Sequence, residues 1–162
     1  MRLGVFRNAI LALTLTLASA VPLFAQTETS LSGGINGREL CEQAVCGSAI
    51  FAAVFAGQID GRPAVGLALG GILHESPLPQ PGEPCVRIFG GSWSISTLRR
   101  KLAGTVDEEG GQICSISPDG KHFRVDLTMN ITQGGQGDAH LTVFLDHTPL
   151  PLPPIITGLI TQ

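Results

Sequence analysis

Phe123-Arg124-Val125-Asp126-Leu127-Thr128-Met129-Asn130-Ile131-Thr132 decides the fold class. Phe123, Val125, Leu127, Met129 and Ile131 alternate with Arg124, Asp126, Thr128, Asn130 and Thr132. Successive side chains of extended chain point to opposite faces, so this run is a strand with one oily face and one wet face. A helix would scatter both sets around its circumference.

Working outward, Gly134-Gly135-Gln136-Gly137-Asp138 is a turn, followed by a second alternating run through Leu141, Val143 and Leu145. Matching the two apolar faces predicts Ile131 opposite Leu141, Met129 opposite Val143 and Leu127 opposite Leu145. Upstream, Asp60-Gly61 has the chemistry of a two-residue hairpin turn, in which both central residues take positive φ. Pairing Ile59 with Arg62 sets Phe55 across from Gly66 and Phe51 across from Gly70, so that rings cover bare backbone. Val65, Leu67 and Leu69 alternate there with Ala64, Gly66, Ala68 and Gly70, giving one bulky face and one nearly bare face, both apolar. A helix over Ala49–Ala56 is the competing reading of that alanine-rich run.

The prolines of Ser76–Pro84 donate no ladder hydrogen bond, so that passage reads as a surface crossing. Strands are expected over Val86–Thr97, Lys101–Val106 and Ile155–Thr161, with a β-bulge at Gly90-Gly91 where the alternation slips phase. Trp93 and Phe89 are placed on one face with Arg87 and Ile95. Together these runs predict an all-β domain: a small antiparallel barrel of seven to eight strands, with a β-sandwich as the alternative.

The chain opens with Arg2 and Arg7, no acidic residue, and a diluted apolar stretch from Ala9 to Phe24. A bilayer-crossing helix needs about 20 apolar residues, so residues 1–25 read as a secretory signal peptide rather than an anchor. Cleavage after Ala25 is favoured over cleavage after Ala20. Residues 26–46, polar and glycine-rich, read as a flexible lead-in, and residues 47–162 as a single β-domain. The expected location is the periplasm or the exterior.

Without residues 1–25 the chain keeps 8 basic and 13 acidic side chains, a formal charge of −5. That balance excludes nucleic acid as a partner, because a phosphate backbone rewards clustered positive charge. Arg99-Arg100-Lys101 is the only basic cluster and reads as a solvated turn. No tyrosine and a single tryptophan leave nothing to build the aromatic girdles of a membrane barrel, so an integral membrane protein is not expected. Four cysteines in an exported chain predict two disulfides. A turn at Arg99-Arg100 would set Cys85 opposite Cys114, leaving Cys41 to pair with Cys46.

No metal or other cofactor is expected. No C-x-x-C occurs, and the His74-Glu75 pair runs into Pro77 and Pro79, which forbid a zinc-protease helix. Gly91-Ser92-Trp93-Ser94-Ile95 lacks the closing glycine of a nucleophile elbow. One constellation carries chemistry. In the register above Asp126 and Asp146 face each other, with Arg124 beside them and His140 further along, opposite Thr132. Two facing carboxylates repel, which raises the pKa of one and makes a general acid. On a solvent face the same residues are merely hydrated, the commoner fate of charged side chains. The function expected is therefore an exported non-catalytic β-domain, structural or binding a protein or a small apolar ligand. The alternative is a small β-barrel enzyme, isomerase- or lyase-like, using Asp126 and Asp146 inside the barrel.

Overall fold

A computed structural model describes residues 27–148 and 153–162; the expected signal peptide lies outside the described residues. Nine strands follow in chain order: β1 (Leu31–Cys41), β2 (Ala49–Ile59), β3 (Arg62–His74), β4 (Val86–Thr97), β5 (Lys101–Val106), β6 (Gly111–Ser115), β7 (His122–Gln133), β8 (Gly137–Asp146) and β9 (Ile155–Thr161). A four-residue helical turn, α1 (Gln43–Cys46), links β1 to β2. Eight of the strands close an antiparallel barrel in the order β1-β2-β3-β4-β5-β7-β8-β9, and β9 returns to pair with β1. The short β6 fills the gap between β4 and β7 beyond the end of β5. The barrel, rather than the sandwich, is the fold.

The β7 alternation holds: Phe123, Val125, Leu127, Met129 and Ile131 are all buried. They meet Leu31, Ile35, Phe55, Ile88, Trp93, Leu102 and Ile156 in one continuous core that fills the barrel. The β2–β3 hairpin also has the expected register, with Phe55 opposite Gly66 and Phe51 opposite Gly70. Ala49–Ala56 is strand, not helix. The bare face of β3 turns inward, because the rings of Phe51, Phe55 and Trp93 already occupy that side of a narrow barrel. The bulky face of Val65, Leu67 and Leu69 is left outside.

The bulge lies where the phase slips: Leu73 pairs with Gly90 but His74 with Ile88. Its consequence was not legible from alternation alone. Trp93 and Ile95 point inward and are buried, whereas Phe89, before the slip, is exposed with Arg87. Glycine serves strand coiling at Gly57 and Gly104, where a Cβ would collide with the carbonyl oxygens of Ser32 and Asn130 on the neighbouring strands.

Two expectations need correction. The lead-in expected over residues 26–46 contains β1, which pairs with both β2 and β9 and so closes the barrel. Its inward positions run Leu31, Gly33, Ile35, Gly37, Glu39, and only two of the five carry an apolar side chain. The missing bulk comes from β2, since a Cβ at Gly33 would touch the ring of Phe55 and one at Gly37 would meet Ala53. The β7–β8 register is also displaced by four residues: Leu127 faces Leu141, Met129 faces Ala139 and Phe123 faces Leu145. An even displacement keeps every side chain on its own face, so apolar matching does not distinguish the two registers. The turn does. Gly134 (φ 75°) and Gly137 (φ 116°) allow a connection of only three residues after Gln133.

The cysteines pair as expected, Cys41 with Cys46 and Cys85 with Cys114, at Cα–Cα distances of 6.0 and 4.3 Å. Cys85 and Cys114 meet because β6 continues alongside β4 with Val86 opposite Ile113. At the opposite end of the barrel Arg100 bridges two turns, pairing with Asp60 and donating from Nε to the Gly134 carbonyl at 2.9 Å.

Candidate functional site

The sequence-derived acidic pair is not a pair. In the displaced register Asp126 faces Thr142 and Asp146 faces His122. Both project from the outer, even-numbered face of the β7–β8 hairpin rather than into the barrel. Asp126 is bound by Arg124 (2.9 Å) and by the hydroxyl of Thr142 (2.8 Å). Asp146 accepts from the hydroxyl and the backbone N–H of Thr148, and these bonds hold its carboxyl below the usual range. A general acid needs the opposite displacement. His140 lies beside Thr128, not Thr132, its Nδ1 3.3 Å from the threonine hydroxyl. Of the four candidates, only Arg124 and Asp126 touch.

Further along the same end of the barrel, Ser117, His122 and Asp146 assemble the residue types of a nucleophilic triad. Ser117 Oγ is 3.2 Å from His122 Nδ1, and His122 Nε2 is 3.5 Å from Asp146 Oδ1. The serine is already committed, because its oxygen accepts the His122 backbone N–H and its proton goes to Asp119. The cluster is a hydrogen-bonded turn on the surface, with both partners of the His122–Asp146 contact more than a third exposed.

One acid–base contact does face the interior, and alternation within a recognised strand would not have found it. Glu39, on the inward face of β1, is 6% exposed. His147, just past β8, turns in to meet it, with Nε2 3.3 Å from Oε2 and its ring edge-on to Phe123 at 5.2 Å. Neither Oε2 nor Nε2 has another partner among the described residues. The Glu39 carboxylate, acting first as the hydrogen-bond partner, raises the His147 pKa above its ordinary value; burial opposes it, and the charges of Glu39, Glu42 and Asp146 assist. The one signal in the sequence was parity: Glu39 is in phase with Leu31 and Ile35. That signal was hidden once the segment read as a lead-in.

Because the folded pKa lies above the unfolded one, the ion pair contributes its full stability below about pH 6.5 and loses it as pH rises through the folded value. Denaturant unfolding of wild type is therefore expected to show stability falling with pH through that window. In His147→Gln the fall should be smaller by this contribution. Superimposable pH profiles for the two proteins would contradict the pairing.

Glu39 borders a cavity of about 30 Å³, lined otherwise by apolar side chains including Phe51, Ile72, Leu127, Leu141 and Ile156. Room on that scale is room for water molecules. All four cysteines are in disulfides, so no thiol nucleophile is available. Among the described residues no three His, Cys, Asp or Glu side chains are placed to hold a metal ion.

No protein-family model, curated protein or solved structure matches this chain.

The remaining feature of note is on the outside. Ile50, Val54, Val65, Leu67 and Leu69 all project from the outer face of β2 and β3, and Val65 is 65% exposed. They are contiguous, because Val54 pairs with Leu67, Ala52 with Leu69 and Ala56 with Val65. Leu40 and Leu73 extend the patch at one end. Its borders are polar: Ser92, Ser94 and Ser96 across β4, and on β1 Asn36 opposite Val54 and Arg38 opposite Ala52. The outer face of β7, by contrast, is polar throughout. A closed barrel has no free strand edge to offer, so its interactions run through faces.

Proposed function

We propose that this chain is an exported, non-catalytic β-barrel domain that works by binding a protein through the outer face of β2 and β3. The observation that carries the reading is the contiguous, uncharged apolar surface from Ile50 to Val54 and from Val65 to Leu69. Water-exposed patches of this kind mark interaction sites. The filled interior argues in the same direction, since it leaves the surface as the place where a partner is met. Export is supported by the basic, then apolar, N-terminus and by the two disulfides, which persist in oxidising compartments.

Among the described residues no helix is long and apolar enough to cross a membrane. The strand pattern argues against a membrane barrel in its own right. Such barrels are apolar outside and polar inside, whereas here the apolar core is inside and Lys101, Arg124 and Asp126 project from the outer surface.

The test uses the chain without residues 1–25, in dilute solution, with a fluorescent hydrophobic dye as probe. Wild type is expected to bind the dye while folded. The double variant Val54→Glu/Leu67→Glu should lose most of that binding and keep the wild-type melting temperature within a few degrees. Equal dye binding by the two proteins, or collapse of the variant's fold, would overturn the reading.

A further inference from the structure

We propose that the partner is a second copy of this chain, docked face to face about a two-fold axis, the ridge of each copy seated in a groove of the other. The proposal rests on the reading that the β2–β3 face docks a protein, and adds which protein.

The face is not flat. Toward the Asp60-Gly61 turn it rises in a ridge of Val54, Val65 and Leu67, which are 56%, 65% and 49% exposed. Toward the other end it falls into an open groove of about 460 Å³, bordered by Leu40, Ser48, Ile50, Leu69, Gly71 and Ser92. The groove exists because Gly71, opposite Ile50 and Ser92, contributes no side chain to the outer face. Ridge and groove lie on the same two strands, and Leu67 and Gly71 are four residues apart, about 13 Å along the strand. A two-fold axis lying in the interface, parallel to the sheet, perpendicular to the strands and level with the Ala52–Leu69 pair, reverses the strand direction and lays each ridge over the other copy's groove. One surface carrying both a projection and the recess that accepts it is what an isologous interface requires.

Size and chemistry fit the same occupant. Seven apolar side chains left one-third to two-thirds exposed present on the order of 500 Å² to solvent, at the upper end for the largest patch of a monomer. With its serine border the face approaches the roughly 800 Å² that each partner contributes to a standard interface. No outward position from Ile50 to Ala56 or from Val65 to Leu73 is charged, and the neighbouring Arg38 of β1, opposite Ala52, is drawn aside by its donation from Nη1 to the Pro153 carbonyl at 2.7 Å. The rim of Ser92, Ser94 and Ser96 is self-complementary, since each hydroxyl both donates and accepts.

Sedimentation velocity over a dilution series of the chain without residues 1–25 tests this. Wild type is expected to be a dimer that dissociates on dilution. Gly71→Leu fills the groove floor without disturbing the fold, because the nearest heavy atom to a Cβ there is 3.6 Å away. It should weaken the dimer at least tenfold, as should Leu67→Glu from the ridge side, while Thr128→Asp on the opposite wall leaves the dimer unchanged. A wild-type monomer at every concentration would overturn the second copy as partner; if the hydrophobic dye still binds wild type but not Val54→Glu/Leu67→Glu, the docking face itself survives. A dimer indifferent to both Gly71→Leu and Leu67→Glu would equally overturn the proposed geometry.

Discussion

Phe55→Ala is expected to destabilise the domain by about 3–5 kcal/mol, the upper range for truncating a buried aromatic side chain. Phe55 is fully buried, pairing across the sheet with Ile35 on β1 and Gly66 on β3. Its ring stands over Gly33, where a Cβ would come within 2.9 Å of it. The void left by truncation is therefore walled partly by glycine backbone, which has no side chain to swing in and is held by the ladder. The site collapses poorly, and poor collapse is what moves such substitutions to the costly end. Phe144, on the outer face of β8 and 47% exposed, is the control. Phe144→Ala should change stability by less than about 0.5 kcal/mol. Urea unfolding of the two variants measures the contrast, and equal losses would contradict the assignment of faces.

Phe55 also illustrates how much of the fold was legible in the sequence. Where a strand carries its own apolar side chains in period two, as β7 does, face and extent follow directly. Where a turn names itself, as Asp60-Gly61 does, the register follows too. Legibility fails where a strand borrows its bulk from a neighbour. Gly33 and Gly37 make β1 look like a linker, because the side chains filling those positions belong to Phe55 and Ala53. It fails again where a displacement preserves parity. The β7–β8 register kept all its faces while moving by four residues, and that alone separated Asp126 from Asp146 and dissolved the acidic site. Glu39 and His147 stayed hidden for the first reason, one of them lying in the segment without a visible pattern. For β2 and β3 both faces were apolar, and pattern did not say which one the barrel would enclose. Three-dimensional space decided it: the aromatic rings took the inside, and the branched residues of β3 were left exposed on the outside.

That division is the central claim, and three single substitutions to aspartate, compared by urea unfolding, test it most directly. Leu127→Asp places a carboxylate without a partner among the core residues of β7, where Leu127 is 5% exposed. An unpaired buried charge is expected to remove more than about 4 kcal/mol, most of the stability of a small domain. Thr128→Asp, one residue along on the wet face, should alter stability by less than about 0.5 kcal/mol. Leu67→Asp is the deciding member, because leucine at a core position and leucine on an exposed outer face respond oppositely. The account predicts that it unfolds as Thr128→Asp does, once both are measured as monomers. A loss as large as that of Leu127→Asp would place the β2–β3 outer face in the core and contradict the account.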